Sequence, residues 1–130
     1  MTSKVLIVED VEICREALEA ALTNDSHWKV CSVASAEQAL EWLSNNEASA
    51  LVTDLELPHM DGFALIETVR KRSGALPIVV ISGDTDPKVP ARIARLGANA
   101  YFPKPYSPAA VLSKVEELIG KPQMNGNRRG

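Results

Sequence analysis

Long apolar runs are missing from this sequence. Val5–Val8 and Ile78–Ile81 are four residues each, far below the roughly 20 needed for a membrane-spanning helix. The first run follows Met1-Thr2-Ser3-Lys4 directly and stops at acids, which does not read as a secretory signal. An excess of one charge is also missing. Lys and Arg total 14 against 17 Asp and Glu, a net charge of −3, so no general electrostatic attraction to nucleic acid is expected. Cysteines number two, too few for a disulfide framework. Cys14 falls on an apolar helix face and Cys31 inside a strand pattern, so both read as buried free thiols, with a disulfide as the minority alternative. These absences point to a cytoplasmic protein. Internal repeats are absent too.

What remains is ordinary globular material. The chain has 130 residues, 45% hydrophobic and 24% charged, enough for one domain with its own core. Residues 1–120 read as that domain. Lys121 to Gly130 has little to bury and reads as a disordered tail or the start of a linker.

Strand and helix patterns alternate along the chain. Val5-Leu6-Ile7-Val8, Trp28 to Val33, Ala50-Leu51-Val52-Thr53, Ile78 to Ile81 and the weaker Ala98 to Phe102 read as strands. Asn24-Asp25-Ser26 reads as the turn before the second strand. In the first helix, Cys14, Ala17, Leu18, Ala21 and Leu22 fall on one apolar face, with Glu12, Arg15, Glu16 and Glu19 off it. Ser35 is an N-cap for a second helix carrying Ala36, Ala39, Leu40 and Leu43, which Asn45-Asn46 ends. A third starts near Asp61-Gly62, presents Leu65, Ile66 and Val69, and stops at Gly74. The fourth lies between Asp86 and Gly97. With Pro87 and Pro90 at its beginning it should be short or start late. Ser107-Pro108 starts the fifth, with Val111, Leu112, Val115, Leu118 and Ile119 inward. Trp28 and Trp42 read as partial-core residues, and His27 and His59 as solvated.

Five strand–helix pairs with continuously apolar strands imply an α/β fold: one doubly wound (βα)5 domain around a parallel sheet covered on both faces. The weaker second and fifth strands belong at the edges, giving the order 2-1-3-4-5. Ligands bind such sheets at the carboxyl ends of the strands, near the switch point between strands 1 and 3.

The residues at those ends carry the functional signal. The first strand stops at Glu9-Asp10, the third at Asp54, the fourth at Ser82, and the fifth runs into Pro103-Lys104-Pro105. Three carboxylates, a hydroxyl and an ammonium would meet in one cleft. Clustered carboxylates suit a hard divalent cation such as Mg²⁺ or Mn²⁺. An aspartate can also be a phosphoryl acceptor, and Asp54 at the end of the central strand is the best placed. Lys104 and Ser82 would pair with phosphoryl oxygens. Solvated loop acids are the bland alternative. It suits a single acid better than three acids with a lysine.

At this point the sequence resembles the receiver domains of two-component response regulators, the chemotaxis-regulator-like superfamily, over residues 4 to 119. The matching segments are Val5–Asp10, Asp54-Leu55-Glu56-Leu57-Pro58-His59-Met60-Asp61-Gly62, Ile81-Ser82-Gly83 and Gly97–Pro105. Each is weak alone; the four in order are specific. The resemblance implies a flavodoxin-like fold, whose known strand order is the one given above. It implies a bacterial, phosphorylation-controlled signalling switch rather than a metabolic enzyme. Asp54 would take a phosphoryl group from a histidine kinase or histidine phosphotransfer protein. Its own chemistry would be limited to self-phosphorylation and slow autodephosphorylation. Asp10, Asp54 and the backbone carbonyl of Glu56 would bind the metal, with Glu9 acting through water.

The resemblance further makes Ser82 and Tyr101 the switch pair and Lys104–Pro105 a cis peptide. The fourth helix, fifth strand and fifth helix would present a changed surface. That surface would regulate a partner protein or an output domain outside this chain, or form a phosphorylation-dependent homodimer. Neither nucleic acid nor membrane would be bound directly. The first helix, through Glu12, Arg15, Glu16 and Glu19, would contribute to kinase docking. Departures are Glu9, where aspartate is commoner, and Pro87 and Pro90 beside the switch face. The rival readings are a non-phosphorylated pseudo-receiver that only binds, and an aspartate-nucleophile phosphatase of the haloacid dehalogenase type. The latter calls for an aspartate where Glu56 stands.

Overall fold

A computed structural model describes residues 3–24 and 27–120. Ten elements alternate: β1 Lys4–Val8, α1 Glu12–Asn24, β2 Lys29–Val33, α2 Ala36–Asn45, β3 Ala50–Asp54, α3 Gly62–Arg72, β4 Ile78–Ser82, α4 Val89–Arg95, β5 Ala100–Pro103 and α5 Pro108–Ile119. All strand pairs are parallel, in the order β2-β1-β3-β4-β5. This is the doubly wound flavodoxin-like arrangement.

β3 and β4 are buried at every residue, and β1 at all but its first. Continuous apolar runs are what a sheet covered on both faces requires. Alternate side chains enter two separate cores, as strand geometry dictates. Leu6, Val8, Leu51, Ile78 and Val80 pack with α2, α3 and α4. Val5, Ile7, Val52, Val79 and Ile81 pack with α1 and α5.

The helix boundaries follow local chemistry. Ser35, Asp61 and Ser107 each accept a backbone N–H from the first turn of the helix they precede. α4 is the short helix that its prolines predict, with only seven residues. Pro87 and Pro90 have no N–H to give to a helix. The Asp84 and Asp86 carboxylates instead accept the N–H groups of Asp86 and Lys88 in successive turns. β5 begins at Ala100 rather than Ala98 because Asn99 ends the ladder: its N–H donates to the Ile78 carbonyl, and its side chain accepts the Ile78 N–H.

Other expectations need correction. Asn24 is the last residue of α1, not part of a turn. Asp25, Ser26 and residues 121–130 lie outside the described residues. α1 buries Leu18 and Leu22, whereas Cys14 and Ala21 are half-buried and Ala17 is exposed. A surface helix tucks its large side chains in and leaves small ones at the margin. Both cysteines are free but half-buried, not buried.

Candidate functional site

Parallel register places the strand ends side by side. Val8 lies opposite Thr53, Asp54 opposite Ile81, and Ser82 opposite Pro103. The last residues of these strands and the one or two that follow therefore meet at one edge: Glu9, Asp10, Asp54, Ser82 and Lys104. Glu9, Asp54 and Ser82 are buried, and Asp10 is exposed.

A carboxylate oxygen from each of Glu9, Asp10 and Asp54 lies within 4.8 Å of the others. The Lys104 ammonium donates to Asp54 Oδ2 at 2.5 Å and to Glu9 Oε1 at 3.2 Å. Each acid is also held by backbone. Asp54 Oδ1 accepts the Glu56 N–H at 3.0 Å, and Glu9 Oε2 accepts the Val11 N–H at 3.1 Å. Burial pushes the Asp54 carboxyl above its ordinary value, and the charge of Glu9 adds to that. The hydrogen bonds from Lys104 and Glu56 oppose the rise. For Lys104, burial disfavours the charge, but the bonds and charges of Asp54 and Glu9 outweigh it and hold the ammonium well above the ordinary lysine range. One ammonium thus serves two acids, and with Asp10 beside them the local balance stays negative. Such a donor set, all oxygen and short of positive charge, fits a hard divalent cation.

The backbone is shaped around Asp54. Gly62, the first residue of α3, approaches so closely that a Cβ there would lie 2.5 Å from the Asp54 carbonyl oxygen and from Leu55 Cα. Its N–H donates to the Leu55 carbonyl at 2.9 Å. Between them, His59 takes a left-handed φ of 65° and is exposed. The Lys104–Pro105 peptide bond is cis.

Ser82 and Tyr101 occupy different environments. The Ser82 hydroxyl donates to Glu56 Oε2 at 2.5 Å and accepts the Asp84 N–H at 3.0 Å. Tyr101 is half-buried against the first core, and its hydroxyl reaches the Asp84 carbonyl over a long 3.5 Å. Burial raises the Tyr101 phenol, with Glu56 and Asp84 adding to the shift.

Sequence reasoning missed three contributors. The Glu56 side chain, which was given no role, holds Ser82. Arg15, which the sequence places off the apolar face and on the docking face, donates to the Glu9 carbonyl at 2.9 Å. Glu19 accepts the Ser32 hydroxyl at 2.6 Å. Of the four acidic or basic residues expected on a docking face of α1, only Glu12 and Glu16 are exposed, together with Val11 and Ile13. Asp-Gly at the α3 start was the available signal for the close approach of Gly62.

The family model for the response regulator receiver domain matches residues 5–116. The chain belongs to this family. It is 31% identical over 128 residues to the transcriptional regulatory protein GltR of Pseudomonas aeruginosa, a match covering 97% of this chain and 52% of GltR. It is 28% identical over 120 residues to a chemotaxis protein CheY homologue of Campylobacter jejuni, covering 90% of this chain and 92% of that protein. The solved receiver protein of Pseudomonas putida superposes with a TM-score of 0.84 at 30% identity, covering 90% of this chain and 98% of that one. The chain thus spans about half the length of GltR and nearly all of the CheY homologue. Receiver domains are signalling modules of two-component systems rather than metabolic enzymes. Among the described residues no helix is long and apolar enough to cross a membrane.

Proposed function

We propose that residues 1–120 act as a phosphorylation-controlled switch with Asp54 as acceptor. A carboxylate oxygen of Asp54 attacks the phosphorus of a phosphohistidine on a kinase or phosphotransfer protein. The P–N bond breaks, the imidazole leaves with its electron pair, and an acyl phosphate forms. Water later hydrolyses that bond, returning Asp54 and inorganic phosphate. Lys104 neutralises one phosphoryl oxygen, and Ser82 donates to another once the group is in place. Asp10, Asp54 and the Glu56 carbonyl would hold Mg²⁺ or Mn²⁺, with Glu9 acting through water. The cation would supply positive charge that Lys104 alone cannot. The observation that carries this reading is the contact of the Lys104 ammonium with a buried aspartate at the end of the central strand.

Ser82 and Tyr101 form the switch pair, and the α4-β5-α5 surface transmits the change. Its recipient is a partner protein, an output domain or a second copy of the chain. A cytoplasmic location accords with this reading.

Intact mass after incubation with acetyl phosphate tests the acceptor. The wild type should gain one phosphoryl group only with Mg²⁺ present, and Asp54→Asn should gain none. No gain in the wild type, where a control receiver is labelled, would leave a binding module that has the fold without the chemistry.

A further inference from the structure

The Glu56 side chain has no part in the chemistry above, which uses only its backbone carbonyl. Yet it makes two of the better-formed polar contacts at this edge. Oε2 accepts the Ser82 hydroxyl at 2.5 Å, and Oε1 accepts the Gly83 N–H at 3.0 Å. The carboxylate therefore grips the end of β4 at two adjacent points. Its own N–H is fixed on Asp54 Oδ1, so the grip is anchored to the acceptor residue. A serine hydroxyl has one proton to donate. While Glu56 holds that proton, Ser82 has none for a phosphoryl oxygen. One of its lone pairs is engaged as well, by the Asp84 N–H, and the Asp84 carbonyl is the group that Tyr101 reaches. Glu56, Ser82, Asp84 and Tyr101 are thus one continuous chain of polar contacts.

We infer that the Glu56 carboxylate is a positioning residue that competes with the phosphoryl group for the Ser82 hydroxyl and so opposes the switch. This rests on Asp54 being the acceptor. Hydrogen bonds to a charged acceptor are stronger than neutral ones, so the unphosphorylated arrangement is actively stabilised. Phosphorylation then exchanges one anionic acceptor for another. A ligand shifts a conformational equilibrium only by its differential affinity for the two states. The strength of the Glu56 grip is subtracted from that difference. Residues 83–88 are exposed, so no buried packing has to break for Ser82 to move.

Glu56 could also act without Ser82, by repelling the incoming anion. A double-mutant cycle separates the two routes. The affinity of the full chain for beryllofluoride, a phosphoryl mimic, is measured with saturating Mg²⁺ in wild type, Glu56→Ala, Ser82→Ala and the double variant. Glu56→Ala should bind about tenfold tighter, the size of one hydrogen bond to a charged group. In the Ser82→Ala background the same substitution should change affinity less than twofold. An equal gain in both backgrounds, or a loss in Glu56→Ala, overturns the inference. The Gly83 amide proton gives a second readout. It should move upfield both in free Glu56→Ala and in wild type bound to beryllofluoride; an unmoved resonance counts against the grip. If Glu56→Ala folds poorly, Glu56→Gln, which keeps the side chain's size but not its charge, takes its place in the cycle and should bind the mimic more tightly than wild type only where Ser82 is present. Acetyl phosphate labelling of the wild type is run alongside. If it labels Asp54 while the cycle fails, only the role of Glu56 falls. If the wild type neither labels nor binds the mimic, the acceptor reading falls and takes this inference with it.

Discussion

The two ends of the sheet are built from the same strands and treat polar groups in opposite ways. At the amino end, side chains complete the ladder. Asn99 Oδ1 accepts the Ile78 N–H and an Arg70 guanidinium N–H. The Ser49 hydroxyl accepts the Lys4 N–H, while the Ser49 N–H donates to the Lys4 carbonyl. A cleft of about 690 Å³ opens there, lined by Leu43, Val69 and Leu76 with Lys4 and Arg72, and it gathers no buried carboxylates. At the carboxyl end, two buried acids share a single ammonium, and a third, exposed acid lies within 4.8 Å of them. The amino end satisfies itself. The carboxyl end is left short of positive charge, and that shortage is what a cation and a phosphoryl donor can exploit. That cleft lies away from the chemistry: its lining and the acidic cluster sit at opposite ends of the same sheet.

The sharpest way to break this comparison is through backbone crowding. Gly62→Ala at the carboxyl end puts a methyl group 2.5 Å from two backbone atoms. Urea denaturation should show a loss of about 3 kcal/mol, the upper range for overpacking. Gly74→Ala on the amino side meets nothing within 4 Å and should stay within about 0.5 kcal/mol of wild type. Similar losses at both positions would mean that the carboxyl end is not unusually tight.

Charge is the next lever. Lys104→Ala leaves Glu9 and Asp54 buried without their counter-ion. Stability should fall by about 2 kcal/mol in EDTA, less than for a fully buried pair because the ammonium is partly exposed. Saturating Mg²⁺ should recover much of this loss. A loss of the same size with and without Mg²⁺ would show that the acids are not waiting for positive charge. Asn99→Ala provides the control at the amino end. It strands the Ile78 N–H and should cost about 1 kcal/mol, with no response to Mg²⁺.

The difference between the ends also explains what could be read from the sequence. Strand ends were legible because a continuous apolar run stops where burial stops, so Glu9, Asp54 and Ser82 announce themselves by position. Caps at Ser35 and Ser107 are local chemistry within three residues, and so is the late start of α4 behind Pro87 and Pro90. The Glu56 grip was not legible. It links residues 26 apart through the path of a loop, and period-based reasoning says nothing about where a loop side chain turns. Arg15 was misread for the same reason: a long side chain can leave the helix face that its Cα implies. Ala17 was misassigned because spacing does not reveal how wide a stripe a given neighbour covers. Gly62 looked like a helix start. Only the packing of α3 against Leu55 shows that nothing larger fits.

The smallest effect tests the charge imbalance from a distance. The chain has two tyrosines, and both phenols are shifted up. Burial is the main cause for each; the charges of Glu56 and Asp84 add to Tyr101, and that of Glu9 adds to Tyr106. Absorbance at 295 nm should therefore show both ionising above the ordinary value of about 10. The sign for stability follows. The folded state holds these protons more tightly than the unfolded chain, so their contribution is fully present below about pH 10 and is lost as pH rises through the folded values. Tyr106→Phe isolates Tyr101. In that background Glu56→Gln should bring the Tyr101 titration back toward its ordinary value, because one of the nearby negative charges is gone. If the titration does not move, Tyr101 senses burial and its neighbour Asp84 but not Glu56, and the negative field around the acceptor does not extend to the switch face.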